Sequence, residues 1–460
     1  MKCPHCGSEI QYAEVCPNCG KKISYGGNTV LYTATRSGKL TYKQIFSNVF
    51  RRHTPENTRR SLISMPEPGT DMLAGWEKPW LFSRLFVMLL MMSVVLLLQS
   101  NAYTTQRDIG GTFLIEFSFV TTLIGPLTIA LLIWEMDIHK RVNLVNFLAL
   151  VFFGGVLTVA LALPLNSSLQ WPAWTAGLTE EAVKLLVALA FILLFRRSGL
   201  HCLDGLAIGA AVGAGFAFWE NIFYAFVNSG DVGIRAMSMW RSFWGLFGSH
   251  MLYTAPYVGA LCYAVNGGTL KFDHFKNRFF LITLVFGMGA HALNNAEDSF
   301  GYAIQLRFSD SLFFQVYWIQ IALAIASWGM LLFMLRKGIN QALETNDMNR
   351  VIDQVHTQAH ASVALVYREG TFAGSAFALE AQPIVIGRRT DECNLVLPGD
   401  SVSRRHGMLR LEKGRAVYRD LGSSNGSFVN GRRLSPNADV VLNPGDMLEI
   451  GSGAERFEVI

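Results

Sequence analysis

Eight apolar runs separated by short polar connectors constrain this chain more than any other feature. They are Leu81–Leu98, Phe113–Trp134, Leu144–Leu163, Ala176–Phe195, Leu203–Phe226, Phe243–Val265, Phe279–Asn295 and Leu312–Leu335. Most have the ~17–25 residues a helix needs to cross a bilayer. Hydrocarbon offers the backbone no hydrogen bonds, so runs of this length predict an all-α polytopic core of eight spans. Composition agrees. Of 460 residues, 51% are hydrophobic and only 16% charged, and mean hydropathy is +0.29. That is too apolar for an ordinary soluble protein and too long for one domain. The net charge of +5 does not call for nucleic acid, and cations flank the apolar runs.

Those cations alternate along the chain. Lys140/Arg141, Arg196/Arg197, Lys271/Lys276/Arg278 and Arg336/Lys337 occupy every second connector. The others hold Arg107, no cation between Pro164 and Thr175, Arg235 with Arg241, and Arg307. The positive-inside rule then expects a multi-pass protein of the cytoplasmic membrane with both termini in the cytoplasm. Residues 1–78 contain no apolar core of signal-peptide length.

Ionisable side chains inside such runs cost roughly 2.5–3.5 kcal/mol each on insertion scales, so they point to function. The fourth run opens with Glu180, Glu181 and Lys184; helical spacing sets the lysine one turn from both carboxylates, so it can pair with one and leave the other. The fifth holds Glu220 and Asn221, the sixth His250 and Thr254, the seventh His291 and Asn295. With the expected orientation all fall at similar depth on the extracytoplasmic side, His250 a third to halfway down its span. Gly205, Gly209 and Gly213 form a small-residue stripe that lets neighbouring helices approach. A buried carboxylate can take a proton from water, and Asn or His can donate to an oxyanion. No Ser or Cys stands with them in a recognised nucleophile motif.

Glu180-Glu181-x-x-Lys184, Phe216-x-x-x-Glu220-Asn221, His250-x-x-x-Thr254 and His291-x-x-x-Asn295, in order over roughly residues 80–337, resemble the PrsW family of intramembrane proteases. That family is grouped with the CAAX prenyl endopeptidases. The resemblance implies a glutamate-dependent peptidase without a catalytic cofactor. One of Glu180 and Glu181 would be the general base, Glu220 its helper, and His291 with Asn295 the oxyanion donors; His250 would contact water or substrate. Lys184 is expected as a structural partner of a carboxylate, Asn221 and Thr254 as helix contacts, and Glu116 and Asp204 as interfacial. A metal built from Glu220, His250 and His291 is the chemical alternative, although no His-Glu-x-x-His arrangement is present.

The two ends read differently. Cys3-Pro4-His5-Cys6-Gly7 and Cys16-Pro17-Asn18-Cys19-Gly20 repeat one unit with nine residues between. Four thiolates at this spacing suit one structural zinc in a closed tetrahedral shell, and the pattern is similar to short zinc ribbons. From about Ala361 the pattern changes to short alternating runs with turn residues, an all-β sandwich. Gly387-Arg388, Ser403-Arg404-Arg405-His406 and 420–431, with Ser424 and Asn425, resemble the forkhead-associated (FHA) domain. The resemblance implies a phosphothreonine-binding site. Arg388 would supply charge-assisted bonds and Ser403 a hydroxyl and a backbone donor. Arg404 would add charge, Ser424 would lie near the phosphate, Asn425 would hold the peptide backbone, and His406 would brace the loop.

The domains expected are a zinc ribbon (1–25), a polar linker (26–78), a protease core (79–337), a connector (338–360) and a phosphopeptide-binding sandwich (361–460). Its partners would be a membrane protein substrate, a phosphothreonine-containing protein and the bilayer. The rival readings are a silent scaffold gathering phosphorylated partners, a metal-dependent protease, and a transporter, which would need polar groups along a through-path.

Overall fold

The computed structural model describes residues 32–33, 80–103, 106–138, 140–169, 172–195, 199–227, 231–247, 250–296, 303–309, 312–359, 363–379, 382–451, 453 and 455–460. Cys3, Cys6, Cys16 and Cys19 lie outside them. The described residues divide into a helical unit, 80–343, and a second unit of 32–33 with 344–460.

Ten α-helices occur among the described residues: α1 Leu81–Ala102, α2 Arg107–Glu135, α3 Leu144–Ala149, α4 Gly155–Leu169, α5 Ala176–Phe195, α6 Cys202–Val227, α7 Asp231–Gly245, α8 His250–Val265, α9 Arg278–Asn295 and α10 Trp318–Ala359. A π-helical turn, Leu150–Gly154, joins α3 to α4. Five helices are long and apolar enough to cross a membrane: α1, α2, the joined α3–α4, α6 and α10. Of the helices that carry the polar residues, α6 meets that measure, and α5, α8 and α9 fall short of it among the described residues. The opening turns of α5 carry Glu180, Glu181 and Lys184, and α8 has only 16 residues.

The expected eight uninterrupted spans therefore need two corrections. Phe243–Val265 is not one helix. Phe243 to Gly245 close α7, whose Arg235, Ser238, Arg241 and Ser242 make it amphipathic, and a new helix starts at His250. His250 thus stands at a helix N-terminus rather than inside a span. Leu312–Leu335 is also divided. Leu312–Tyr317, rich in aromatic and β-branched residues, pairs as a strand with Ala303–Ser309, and α10 runs from Trp318 through the expected connector to Ala359.

The helix ends are tied to one another. Glu135, at the end of α2, accepts from the Leu81 and Phe82 N–H groups at 2.6 and 3.2 Å, satisfying two orphan donors of α1. Asp204, expected at an interface, is fully buried, accepting from His201 N at 2.8 Å with Arg141 3.4 Å away. The glycine stripe sits where two backbones nearly touch. A Cβ on Gly205, Gly209 or Gly213 would come within 2.5–2.7 Å of α8 backbone atoms, and one on Gly215 would collide with the Val151 carbonyl oxygen. Helix α6 is consequently the buried axis of the unit, enclosed almost to its end.

In the second unit, one sheet runs in the order Tyr32–Thr33, Ser375–Ala378, Ala364–Glu369, Glu455–Val459, Met447–Ile450, Ser427–Val429, Arg432–Arg433. The other runs Asp439–Leu442, Arg415–Asp420, Gly407–Glu412, Ile384–Gly387, Leu395–Val396. Alternate residues, among them Leu365, Tyr367, Phe377, Ile386, Leu409, Tyr418 and Phe457, form its closed core. Tyr32 and Thr33, which fall within the expected linker, pair with Ala376 and Ser375 and extend the sheet edge.

Candidate active site and phosphopeptide site

Helices α5, α6, α8 and α9 bring Glu180, Glu181, Lys184, Glu220, His250 and His291 into one buried cluster. Tight packing makes this possible. The Gly213 stripe seats α6 against the first turn of α8, and Gly177 lets α5 approach the α9 backbone at Ala292.

The two adjacent glutamates have different environments. Glu181 accepts from Lys184 Nζ at 2.7 Å, Thr254 Oγ1 at 2.9 Å, Tyr257 Oη at 3.1 Å and His291 Nδ1 at 2.9 Å. Both its oxygens are spent on donors. Glu180 has one bond, from Asn166 Nδ2 to Oε1 at 3.0 Å, and Asn166 is itself oriented by the Thr179 hydroxyl. Lys184 is 3.9 Å from Glu180, well beyond its distance to Glu181. Among the described residues Glu180 Oε2 is buried without a hydrogen-bond partner, 3.5 Å from His291 Nε2.

The hydrogen bonds fix both imidazole tautomers. Glu181, already accepting from Lys184, must accept from His291 Nδ1–H, so in the neutral imidazole His291 Nε2 presents a lone pair to Glu180 Oε2. Lys184 has only donors, so at 2.9 Å His250 Nδ1 must accept, and Nε2–H donates to Glu220 Oε2 at 3.1 Å. Arg241, on α7, donates from Nη2 to Glu220 Oε2 and from Nε to Asn221 Oδ1, each at 2.6 Å. Phe216 closes the cluster, with Lys184 Nζ 3.9 Å from its ring centroid and the His250 ring at 4.9 Å, while Tyr253 stacks on His291.

Six expected residues thus converge. Asn295, half-buried one turn beyond His291, has no hydrogen bond to the cluster among the described residues. Lys184 is the carboxylate's partner, as its spacing implied, and Thr254 reaches across to Glu181 rather than along its own helix. Asn166, Tyr257 and Arg241 were not singled out from sequence. Tyr257 had a legible signal, lying seven residues after His250 on the same helical face. Arg241 read only as a connector charge.

The cluster has the donor chemistry of a metal site. Glu180, His250 and His291 each offer a ligand atom, all within 4.8 Å of one another. The carboxylate in that set is Glu180, not the Glu220 expected from sequence, because Arg241 and His250 occupy Glu220. Glu180 Oε2 and His291 Nε2 fit directly as ligands. His250 completes the set only when its Nδ1 leaves Lys184 or its Nε2 leaves Glu220.

In the sandwich, Arg388 is exposed, and its backbone N–H bonds the Ser403 carbonyl at 3.0 Å. Ser424 N donates to Ser403 Oγ at 3.0 Å, and Asn425 Nδ2 donates to the Ser401 carbonyl at 2.9 Å. Arg388, Ser403, Arg404, Ser424 and Asn425 therefore converge on one loop surface, the two arginines without an ion pair among the described residues. Ser403 N is not available to a ligand. It donates to His406 Nδ1 at 3.0 Å, while His406 Nε2–H bonds the Gly426 carbonyl, so His406 braces two loops. Burial works against charge on Asp420. The Ser423 and Ser427 hydroxyls that donate to it prevail and hold its carboxyl below the usual range.

Residues 142–327 match the family model of the PrsW family intramembrane metalloprotease, and residues 384–451 that of the FHA domain. Similar curated proteins cover the sandwich. One is an oxoglutarate dehydrogenase inhibitor of Corynebacterium efficiens, 38% identical over 90 residues, which is 20% of this chain and 61% of that protein. Another is the FHA domain-containing protein FhaB of Mycobacterium tuberculosis, 35% identical over 95 residues, 21% of this chain and 59% of that one. The chain thus spans about three fifths of these relatives' length. A solved structure from a study of phosphothreonine-dependent FHA domain interactions is 30% identical, covering 21% of this chain and 93% of that one, with TM-score 0.19.

Proposed function

We propose that this chain, which joins a PrsW-family membrane segment to an FHA domain, is an endopeptidase that cleaves membrane-associated polypeptides within or near the bilayer. One observation carries the reading: Glu180 Oε2 and His291 Nε2, both acceptors when the imidazole is neutral, face each other across 3.5 Å in a buried cluster. Two such acceptors are complementary to a group with two positive ends or to a cation, and a water molecule offers two protons. Glu180 is then the residue that takes a proton from water, and Glu181, saturated by donors, is the brace that sets His291. Asn295 stands one turn beyond His291, where a carbonyl oxygen entering the cluster would need a donor.

The family model's description and the Glu180–His250–His291 donor set favour a second version in which a metal ion is held by these three residues. Such an ion would supply Lewis acidity and a more acidic water. In that version Glu181 is the outer carboxylate fixing the His291 ring.

The experiment replaces Glu180 by Gln and compares membrane proteomes for a polypeptide left uncut. No difference between the two sets of membranes would sink the peptidase reading. Chelation of a variant lacking residues 1–25 then separates the versions, since that deletion removes the four cysteines assigned to structural zinc. Activity surviving chelation supports glutamate chemistry alone, and loss restored by zinc supports the metal. The cysteine quartet should itself hold one zinc per chain, released by Cys6→Ser.

The exposed Arg388 and Arg404 beside Ser403 and Ser424 support a phosphothreonine-binding role in the cytoplasm, where the positive-inside rule expects both termini. Arg388→Ala should abolish phosphopeptide binding.

A further inference from the structure

Helix α7 has only 15 residues, yet it delivers a side chain to the cluster. Its inner face of Ser238, Ser242 and Gly245 lies against α2: Ser238 bonds Ser118 at 3.1 Å, and a Cβ on Gly125 would meet the Ser242 carbonyl oxygen at 2.6 Å. One turn earlier, Arg235 bonds Ser100 of α1 at 2.7 Å. This seat leaves Arg241 facing α6, its guanidinium 4.4 Å from the Tyr224 ring centroid and its two N–H groups on adjacent acceptors, Glu220 and Asn221.

We infer that Arg241 is a positioning residue for the peptidase site: it fixes Glu220, and through Glu220 the ring of His250. The inference rests on the peptidase reading above. The chain of contacts is continuous, from Arg241 Nη2 to Glu220 Oε2, from there to His250 Nε2–H, and from His250 Nδ1 to Lys184, which holds Glu181. One carboxylate oxygen, Oε2, takes both the guanidinium and the imidazole. Remove the guanidinium and Glu220 keeps a buried charge balanced only by a neutral ring, so it must turn toward another donor and release His250. Misplacement of a group by about 1 Å can cost about 10²-fold in rate. The fork geometry matters as well. Lysine offers one ammonium where arginine spans Glu220 and Asn221 together, so the exchange is not conservative here.

The probe is an epitope-tagged form of the membrane polypeptide that Glu180→Gln membranes leave uncut, assayed with full-length enzyme in detergent. Arg241→Ala should lower kcat about 10²-fold with KM changed less than about threefold. Added guanidinium should restore at least tenfold of that loss, and should not rescue Glu180→Gln. Arg241→Lys should lie between wild type and Arg241→Ala. A kcat for Arg241→Ala within threefold of wild type would overturn the inference, as would a rise in KM alone. So would a loss that guanidinium does not relieve, with Arg241→Lys equally inactive and both variants melting early, because that pattern marks a residue that only holds the fold. If Glu180→Gln cleaves normally, the peptidase reading fails whatever Arg241 does. If Glu180→Gln is inactive and Arg241→Ala is not, only this inference fails.

Discussion

At the scale of single residues, two neighbouring glutamates separate by what surrounds them. Glu181 is bound to Lys184, Thr254, Tyr257 and His291 in full burial. Breaking one partner of a buried ion pair costs about 3–5 kcal/mol, because the other charge is stranded. Glu181→Gln should therefore lower the melting temperature of the detergent-solubilised protein by many degrees and abolish activity with it. Glu180→Gln alters a carboxylate whose Oε2 accepts no hydrogen bond among the described residues and lies 3.9 Å from Lys184, so activity should fall about 10²–10⁴-fold while the melting temperature falls less than for Glu181→Gln. Equal melting losses for the two variants would contradict this division of roles.

A second residue-scale prediction concerns His406, the one histidine in residues 361–460. Burial holds its imidazole below the ordinary value of 6.5, against opposing effects of the Gly426 carbonyl and Asp420. Its Nδ1 must stay unprotonated to accept from Ser403 N. A depressed pKa means the unfolded chain binds the proton first as pH falls. The stabilisation is complete above about pH 6.5 and is lost on the way down through the folded value. Melting of the sandwich, which has its own core, should fall from pH 6.5 to 5, and His406→Gln should flatten that slope. An unchanged slope in the variant would assign it to other groups.

Among the elements, α6 is the one whose sequence and packing depend most closely on each other. Gly205, Gly209 and Gly213 repeat every four residues and put one bare face toward α8, whose His250 carbonyl oxygen would lie 2.7 Å from a Cβ on Gly213. Gly213→Ala has no flexible side chain to displace there and should destabilise by about 1–3 kcal/mol as an overpacking change. It should also reduce activity, since the same contact places His250. Gly289, with nothing within 4 Å of its would-be Cβ, is the control, and Gly289→Ala should not lower the melting temperature. Comparable melting of the two variants would show that α6–α8 packing tolerates relaxation. The break between α7 and α8 works at the same scale. An uninterrupted sixth span would have carried His250 into its middle, whereas the break sets it in the first turn of α8 and frees α7 to bring Arg241.

For the whole molecule, the pairing of Tyr32–Thr33 with Ser375–Ala376 has a topological consequence. Two segments hydrogen-bonded to each other lie on the same side of any membrane, so the chain between them crosses an even number of times. The five long apolar helices give an odd number. Crossing by α5, α8 and α9 as well would make eight, and would set the polar cluster within the bilayer's depth. Reporter fusions placed before residue 32 and after residue 460 should therefore report the same compartment. Opposite compartments would exclude eight crossings and the strand pairing together.

The sequence by itself determined a great deal here, because two strong physical constraints leave local marks. Bilayer thickness imposes long apolar runs, and the cost of charge within them made Glu180, Glu181, Lys184, Glu220, His250 and His291 stand out. Glycine repeats marked close helix contacts, and turn residues in the last hundred positions marked a sandwich. The span interrupted at Gly245 and the strand at Leu312–Tyr317 were not legible, since hydropathy is blind to whether an apolar run is one helix, two, or a strand. Only the tertiary structure decided which glutamate is spent and which is open, because Thr254, Tyr257, Asn166 and His291 arrive from other helices. Arg241 entered the site for the same reason. A charge in a connector acquires meaning only when folding sets a carboxylate 2.6 Å away.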